Sequence, residues 1–206
     1  MKPADHKIYL ASKSPRRREL LRQIGVEFEL LLLRDHTARG PDVNEDVHPG
    51  EKAEDYVARV AKEKAEYAAN VMLWRRLPVR VVLAADTTVV VDGRILGKPA
   101  DAAEAAEMLK ALSGRTHQVL TSIAARQNDT TWQHTQISDV TLSTLTDAMI
   151  RAYCATTEPY DKAGAYGIQG MAAVFVEKIV GSYTGIMGLP LHETAQLLRK
   201  AGISVL

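Results

Sequence analysis

The stretch Val81–Pro99, VVLAADTTVVVDGRILGKP, constrains the fold more than any other part of the chain. Its apolar run is rich in β-branched residues, ends at Asp92-Gly93 and returns through Ile95 and Leu96 to Lys98. That pattern predicts a β-hairpin, because Asp-Gly supplies the two positive φ angles of a tight two-residue turn. Asp86 lies inside the first strand. An ionised carboxylate in a buried strand is costly unless it is paired or binds a cation. Two readings are open: a strand-end acid that reaches water, or an acid with a cationic partner elsewhere in the chain.

The 206 residues suffice for one domain, or one domain with two lobes, and for a substantial core. A net charge of +1 with 46% hydrophobic and 25% charged residues describes an ordinary globular protein and gives no case for a nucleic-acid partner. Any anion site must be local. Cys154 is the only cysteine, which excludes an intramolecular disulfide and a cysteine-rich metal site. The apolar part of MKPADHKIYLASKS is too short for a signal peptide, and no stretch approaches the roughly 18 apolar residues of a membrane span. The expectation is a cytoplasmic protein with no membrane partner.

Lys7 to Ala11 reads as a first strand, and Ser14-Pro15 opens a helix with Ser14 at the N-cap, closed by Gly25. Arg16, Arg17 and Arg18 fill its first turn, where the helix dipole disfavours cations. They are either solvated or placed for an anion at the helix N-terminus. Val26 to Leu33 reads as a second strand, Asp35 to Gly50 as an acidic loop, and Glu51 to about Asn70 as a long helix. Lys64 continues that helix's apolar stripe, so its ammonium either snorkels to water or points into a cleft. A helix from Asp101 to Leu112 follows the hairpin, then strands at His117–Ala125 and Trp132–Leu145 joined through Asn128-Asp129, and a short helix capped by Thr146. The glycine-rich EPYDKAGAYGIQG loop, a strand at Val174–Val180, a helix at Leu191–Lys200 and a terminal strand at Ile203–Leu206 complete the chain. There are no internal repeats. Without regular βα alternation, the expected fold is α/β, a mixed sheet with flanking helices.

Several standard chemistries are missing. Gly97-Lys98-Pro99 is not a phosphate-binding P-loop, there is no G-x-S-x-G elbow, and the six histidines do not fall at zinc-ligand spacing. The spacing of Gly164, Gly167 and Gly170 is not the dinucleotide fingerprint. Arginines at a helix start, lysines in unusual positions and at least two acids suit an anionic substrate with a hard divalent cation. Phosphoryl or nucleotidyl chemistry leads.

Six blocks then resemble one family in its order: ASKSPRRRELL (11–21), YVARVAKEKA (56–65), AADTTVVVDGRILGKP (84–99), LSGRTHQVLT (112–121), EPYDKAGAYGIQG (158–170) and GSYTGIMGLPLHET (181–194). They are similar to the Maf family of nucleoside triphosphate pyrophosphatases. The resemblance covers nearly the whole chain, 1–206 as a single Maf-like domain, and implies two lobes around a central cleft in a Maf/ITPase-like arrangement. It implies hydrolysis of a nucleoside triphosphate to the monophosphate and pyrophosphate, with a divalent metal cation, Mg²⁺ or Mn²⁺. It makes Asp86 the proton acceptor and metal ligand, and Arg16, Thr87 and Gln169 the specificity positions, a set resembling the dTTP/UTP class. Ser12, Ser14, Arg17, Lys64 and Lys98 match positions that contact the triphosphate. The family's V-D-E motif corresponds to Val43-Asn44-Glu45, with Asn44 in place of aspartate and a longer loop before it, and makes Glu45 the second metal ligand. The resemblance also suggests a homodimer. Two alternatives stand beside it: a house-cleaning pyrophosphatase for purine or other non-standard nucleotides, and a non-catalytic nucleotide-binding regulator of septum formation.

Overall fold

The computed structural model describes residues 6–35 and 40–205. Positions 36–39 of the expected acidic loop and Leu206 of the expected terminal strand lie outside the described residues. The chain runs β1 (Ile8–Leu10), α1 (Pro15–Gln23), β2 (Phe28–Leu30), α2 (Ala53–Trp74), β3 (Val82–Val91), β4 (Arg94–Leu96), α3 (Ala102–Leu112), β5 (Thr116–Gln127), β6 (Thr130–Leu142), α4 (Asp147–Cys154), β7 (Val176–Val180), α5 (Tyr183–Ile186) and α6 (Leu191–Lys200). Among the described residues the strands form one seven-stranded sheet of order β2-β1-β3-β5-β6-β7, with β4 paired to β3. β1 lies parallel to β2 and β3, and the remaining pairings are antiparallel. The sheet is therefore mixed and flanked by helices, as the element pattern predicts.

The expected hairpin forms β3 and β4, with Asp92 at φ 52° and Gly93 at φ 75°. Both central residues take the positive φ that a tight hairpin turn requires. β3 organises the sheet because its two edges are used differently. One edge pairs with β5 from Val82 to Val90. The other pairs with β1 only at Val82 and Leu83, and with β4 only from Val89 to Val91. Between those two partners the sheet forks, and Ala85–Thr88 line a cleft there.

Three groups of buried side chains surround the fork. On one face, Leu83 and Ala85 pack with Leu20 and Leu21 of α1 and Leu197 and Leu198 of α6. Farther along, Val89 and Val91 pack with Met108, Leu109 and Leu112 of α3 and Ile150 of α4. Val82 and Ala84 belong to a third group with Ala61, Ala65 and Ala68 of α2. Alternation along a strand sends successive side chains to opposite faces, so Asp86 shares the α2 face and Thr87 the face of α1.

Several boundaries differ from those the sequence suggests. The second strand is three residues rather than the span 26–33, because its partner β1 is itself three residues long before the chain turns towards α1. α2 continues to Trp74, since Val71 and Met72 remain buried against the sheet and the helical bonds stop only at Arg76, with φ 54°. Met171–Phe175 is a 3₁₀ turn, so β7 begins at Val176 instead of Val174. Residues 203–205 are not a strand; Ile203 and Val205 tuck beneath the sheet beside Leu198, and Arg199 Nη2 donates to the Val205 carbonyl at 3.1 Å. Among the described residues no helix is long and apolar enough to cross a membrane.

His117, at the start of β5, is buried at 2% exposure and its Nε2 lies 2.7 Å from Tyr166 Oη. Burial pulls its imidazolium down from 6.5 to about 4, with the Asp139 carboxylate opposing. The unfolded chain protonates this group first as pH falls, so its contribution is complete above about pH 6.5 and is lost through about pH 4. Between pH 7 and 4.5 this site alone is expected to cost about 2 kcal/mol. Urea unfolding at both pH values should show that loss in the wild type and not in His117→Gln.

Candidate active site

The fork opens into a cleft of about 1130 Å³. Asp86, Ser12, Ser14, Arg16, Arg17, Lys64, Thr87, Lys98, Gln169 and Glu45 all line it, although they come from six separate stretches of chain. The sheet explains the gathering. β1 delivers the Ser12–Ser14 turn and the start of α1 to one side of the fork, while β4 delivers Lys98 to the other.

Asp86 is 7% exposed. Its Oδ1 accepts a hydrogen bond from Lys64 Nζ at 2.8 Å, and the same ammonium lies 2.9 Å from Glu45 Oε1. Lys64 thus points into the cleft, which decides between the two readings open for it, and supplies the cation that buried Asp86 requires. A single ammonium held between two carboxylates marks a place where positive charge is favoured. Asp86 and Glu45 are hard oxygen donors, and Mg²⁺ is commonly held by one or two carboxylates completed by water and substrate phosphate. The pair fits that use. Among the described residues no group of three or more His, Cys, Asp or Glu side chains could hold a metal by itself.

Glu45 sits on an irregular loop, yet its position is specified. Tyr56 Oη donates to its carbonyl at 3.0 Å, and Asn44 Oδ1 accepts from the Asp46 N–H at 2.8 Å. An aspartate at 44 could make the same turn, so the substitution preserves local geometry. The Tyr56 hydroxyl is pushed up by burial and further by the Asp86 and Glu45 carboxylates, which keeps it a donor. Upstream, Asp42 accepts from Tyr67 Oη at 3.0 Å and from the Arg34 guanidinium.

Ser14 caps α1, with Oγ accepting from the Arg17 N–H at 3.4 Å, and Ser12 Oγ accepts from the Ser14 N–H at 3.2 Å. The helix dipole and the guanidinium of Arg16 favour an anion there, although Pro15 has no N–H and the Arg17 N–H is held by Ser14. Arg17 is more constrained. It donates to the Gly188 carbonyl at 2.7 Å, to Thr87 Oγ1 at 3.0 Å and to Ser12 Oγ at 3.3 Å. Burial pulls its guanidinium down from the ordinary value, with Asp86 opposing. Thr121 Oγ1 gives its proton to the Gly185 carbonyl at 2.7 Å, so the Thr87 hydroxyl must donate to Thr121 while accepting from Arg17. Thr87 therefore sets the guanidinium's position and has no second proton to offer a base.

Lys98 is exposed on the opposite side, with no ion-pair partner among the described residues. Gln169 is also exposed, on a turn between Gly167 and Gly170. Glu158 holds that turn from behind, accepting from the Met171 N–H at 2.8 Å, the Ala172 N–H at 3.3 Å and Tyr153 Oη at 2.9 Å. The backbone lies so close to Glu158 Oε2 that Gly170 has no room for a Cβ. Sequence reasoning did not single out Asp161, whose Oδ2 receives Arg16 Nη1 at 3.1 Å and links α1 to this loop. The charged Asp161-Lys162 pair within a glycine-rich loop was an available signal. Its partner, 145 positions away, was not.

The family model described as Maf-like protein matches residues 7–201. A dTTP/UTP pyrophosphatase of Aromatoleum aromaticum is 58% identical over 203 residues, covering 98% of each chain. One of Chromobacterium violaceum is 53% identical over 205 residues, covering 100% of each chain. Among solved structures, the Staphylococcus aureus Ham1 protein is similar at a TM-score of 0.43 and 19% identity, covering 66% of this chain and 71% of that one. On the extent of the family match and the identity to these full-length relatives, the chain belongs to the Maf-like protein family.

Proposed function

We propose that this protein is a nucleoside triphosphate pyrophosphatase that hydrolyses dTTP and UTP to the monophosphate and pyrophosphate. The observation that carries the reading is the Glu45–Lys64–Asp86 cluster at the fork of the sheet, beside the open N-terminus of α1. The names of the two relatives supply the pyrimidine preference.

Asp86 accepts the proton of the attacking water as the water oxygen bonds to the α-phosphorus and the bond to the bridging oxygen breaks. Lys64 donates to Oδ1 and orients the carboxylate. Among the described residues Oδ2 receives no hydrogen bond, which leaves it for the water or a cation. The positive end of α1, Arg16 and Lys98 meet the phosphates and take up charge as pyrophosphate leaves. A divalent cation, Mg²⁺ or Mn²⁺, on Asp86 and Glu45 would neutralise phosphate charge and lower the pKa of a bound water. Gln169 offers a donor and an acceptor to the pyrimidine edge. In the same reading the protein works in the cytoplasm.

Metal-dependent pyrophosphate release across dTTP, UTP, CTP, ATP and GTP tests this reading. dTTP and UTP should be turned over with kcat/KM at least about tenfold above the others, since a hydrogen-bonding site rejects mismatched groups strongly. Preference for a purine triphosphate would establish the house-cleaning alternative, and binding without turnover the regulatory one.

A further inference from the structure

We infer that Arg59 is a positioning residue for Glu45, holding the loop that carries this acid so that its carboxylate reaches Lys64. The inference rests on the proposed use of Glu45 and concerns a residue outside the cleft lining. Arg59 lies on α2, within the stretch that passes beneath the 40–52 loop. Its Nη1 donates to the Asn44 carbonyl at 3.3 Å and its Nη2 to the Asp46 carbonyl at 2.9 Å. The carbonyl between them, that of Glu45, is taken by Tyr56 Oη. Three consecutive carbonyls are thus gripped by two side chains one helical turn apart.

The grip matters because residues 43–47 belong to no helix or strand. Side-chain donors therefore supply what a ladder would supply elsewhere. Arg59 is itself fixed: Nε and Nη2 form a forked pair with Glu51 at 2.7 and 2.9 Å, and Nη1 reaches Glu63 Oε2 at 3.5 Å. All five of its N–H groups are used, so none is left for a nucleotide. An effect of Arg59 on the reaction must pass through the loop it holds and the Tyr56 ring it stacks on, 5.7 Å from the ring centre, and Glu45 is the acid that both of them position. Only a planar fork spans two carbonyls two residues apart while holding a carboxylate bidentately, a task one ammonium cannot perform.

The test is a double-mutant cycle of Arg59→Lys and Glu45→Gln, with dTTP turnover and the Mg²⁺ concentration at half-maximal rate measured for each. Arg59→Lys is expected to lower kcat/KM by about 10-fold or more and to raise the Mg²⁺ requirement, as loss of an outer-shell partner does. In the Glu45→Gln background the same substitution should change kcat/KM less than about twofold, the coupling that marks one shared route. Hydrogen exchange without nucleotide or metal gives a readout independent of activity: Arg59→Lys should speed exchange over 42–50 and leave 158–170 unchanged. Glu51→Gln, which frees the arginine fork, should act in the same direction. Equal losses in both backgrounds, or wild-type turnover and exchange in Arg59→Lys, would overturn the inference. If Glu45→Gln turned over normally while Asp86→Asn did not, the role of Glu45 would fall and the inference with it, but the pyrophosphatase reading would stand.

Discussion

Asp86→Asn is expected to lower pyrophosphate release from dTTP by about 10³-fold or more, the scale of losing a base at the reacting atom. The side chain is buried at the fork, and the asparagine is nearly the same shape. Its carbonyl oxygen still accepts from Lys64, and Lys64 keeps Glu45 at 2.9 Å. What disappears is the capacity to take a proton and one negative charge. The melting temperature should therefore stay within a few degrees, and dTTP should still bind, because the α1 N-terminus, Arg16 and Lys98 are untouched. Single-turnover assays with equilibrium dialysis separate the two effects. Turnover within tenfold of the wild type would exclude Asp86 as the base and move attention to another group on the cleft wall.

Much of this arrangement was legible in the sequence, and the reasons are local. The β3–β4 hairpin follows from a β-branched run and Asp92-Gly93, and α1 from a serine cap with proline at the first helical position. These are near-neighbour effects. The residues gathered on the cleft came from the family resemblance, since nothing in spacing alone brings Glu45, Lys64 and Asp86 to one point. Two features resisted reading from spacing and pattern, and the resemblance supplied only the first of them. The direction of Lys64 depends on which helix face meets β3, a tertiary fact that helical periodicity leaves ambiguous between stem and head. The link of Arg16 to Asp161 joins residues from opposite ends of the chain. The terminal segment was misread for a third reason: Ile203 and Val205 have strand propensity, but the core beneath the sheet offers them burial and no ladder.

The fork also accounts for the roles of adjacent residues. Asp86 and Thr87 point to opposite faces of β3, and in a continuous sheet they could not serve one ligand. Because β1 and β4 leave the middle of the strand uncovered, the cleft reaches both faces at once. The acid takes its cation from α2, and the threonine takes its arginine from α1. The carboxylate of Asp86 and the guanidinium of Arg17 are thereby brought to one cleft by adjacent residues of one strand.

Lys64→Met should produce the second large effect, on stability as well as rate. The methionine keeps most of the stem's packing on α2 but removes the ammonium between Asp86 Oδ1 and Glu45 Oε1. The two carboxylates then face each other with no ion-paired cation between them and only the more distant Arg17 guanidinium to offset their charge, and Asp86 remains buried. Breaking a buried pair from one side costs about 3–5 kcal/mol. Here the pair borders a wide cleft and Glu45 is about half exposed, so a loss of about 2–3 kcal/mol is expected in metal-free buffer. Turnover should fall by about 100-fold, because Asp86 loses the partner that orients it. Millimolar Mg²⁺ should restore much of the lost stability in Lys64→Met and stabilise the wild type less, since a ligand stabilises the state that binds it more tightly. The double variant Lys64→Met/Asp86→Asn should regain stability without metal, having one buried charge fewer to compensate. Thermal unfolding of the four proteins with and without Mg²⁺ decides the matter: a Lys64→Met variant as stable as the wild type in metal-free buffer, or one indifferent to Mg²⁺, would show that the ammonium is not standing where a metal can bind.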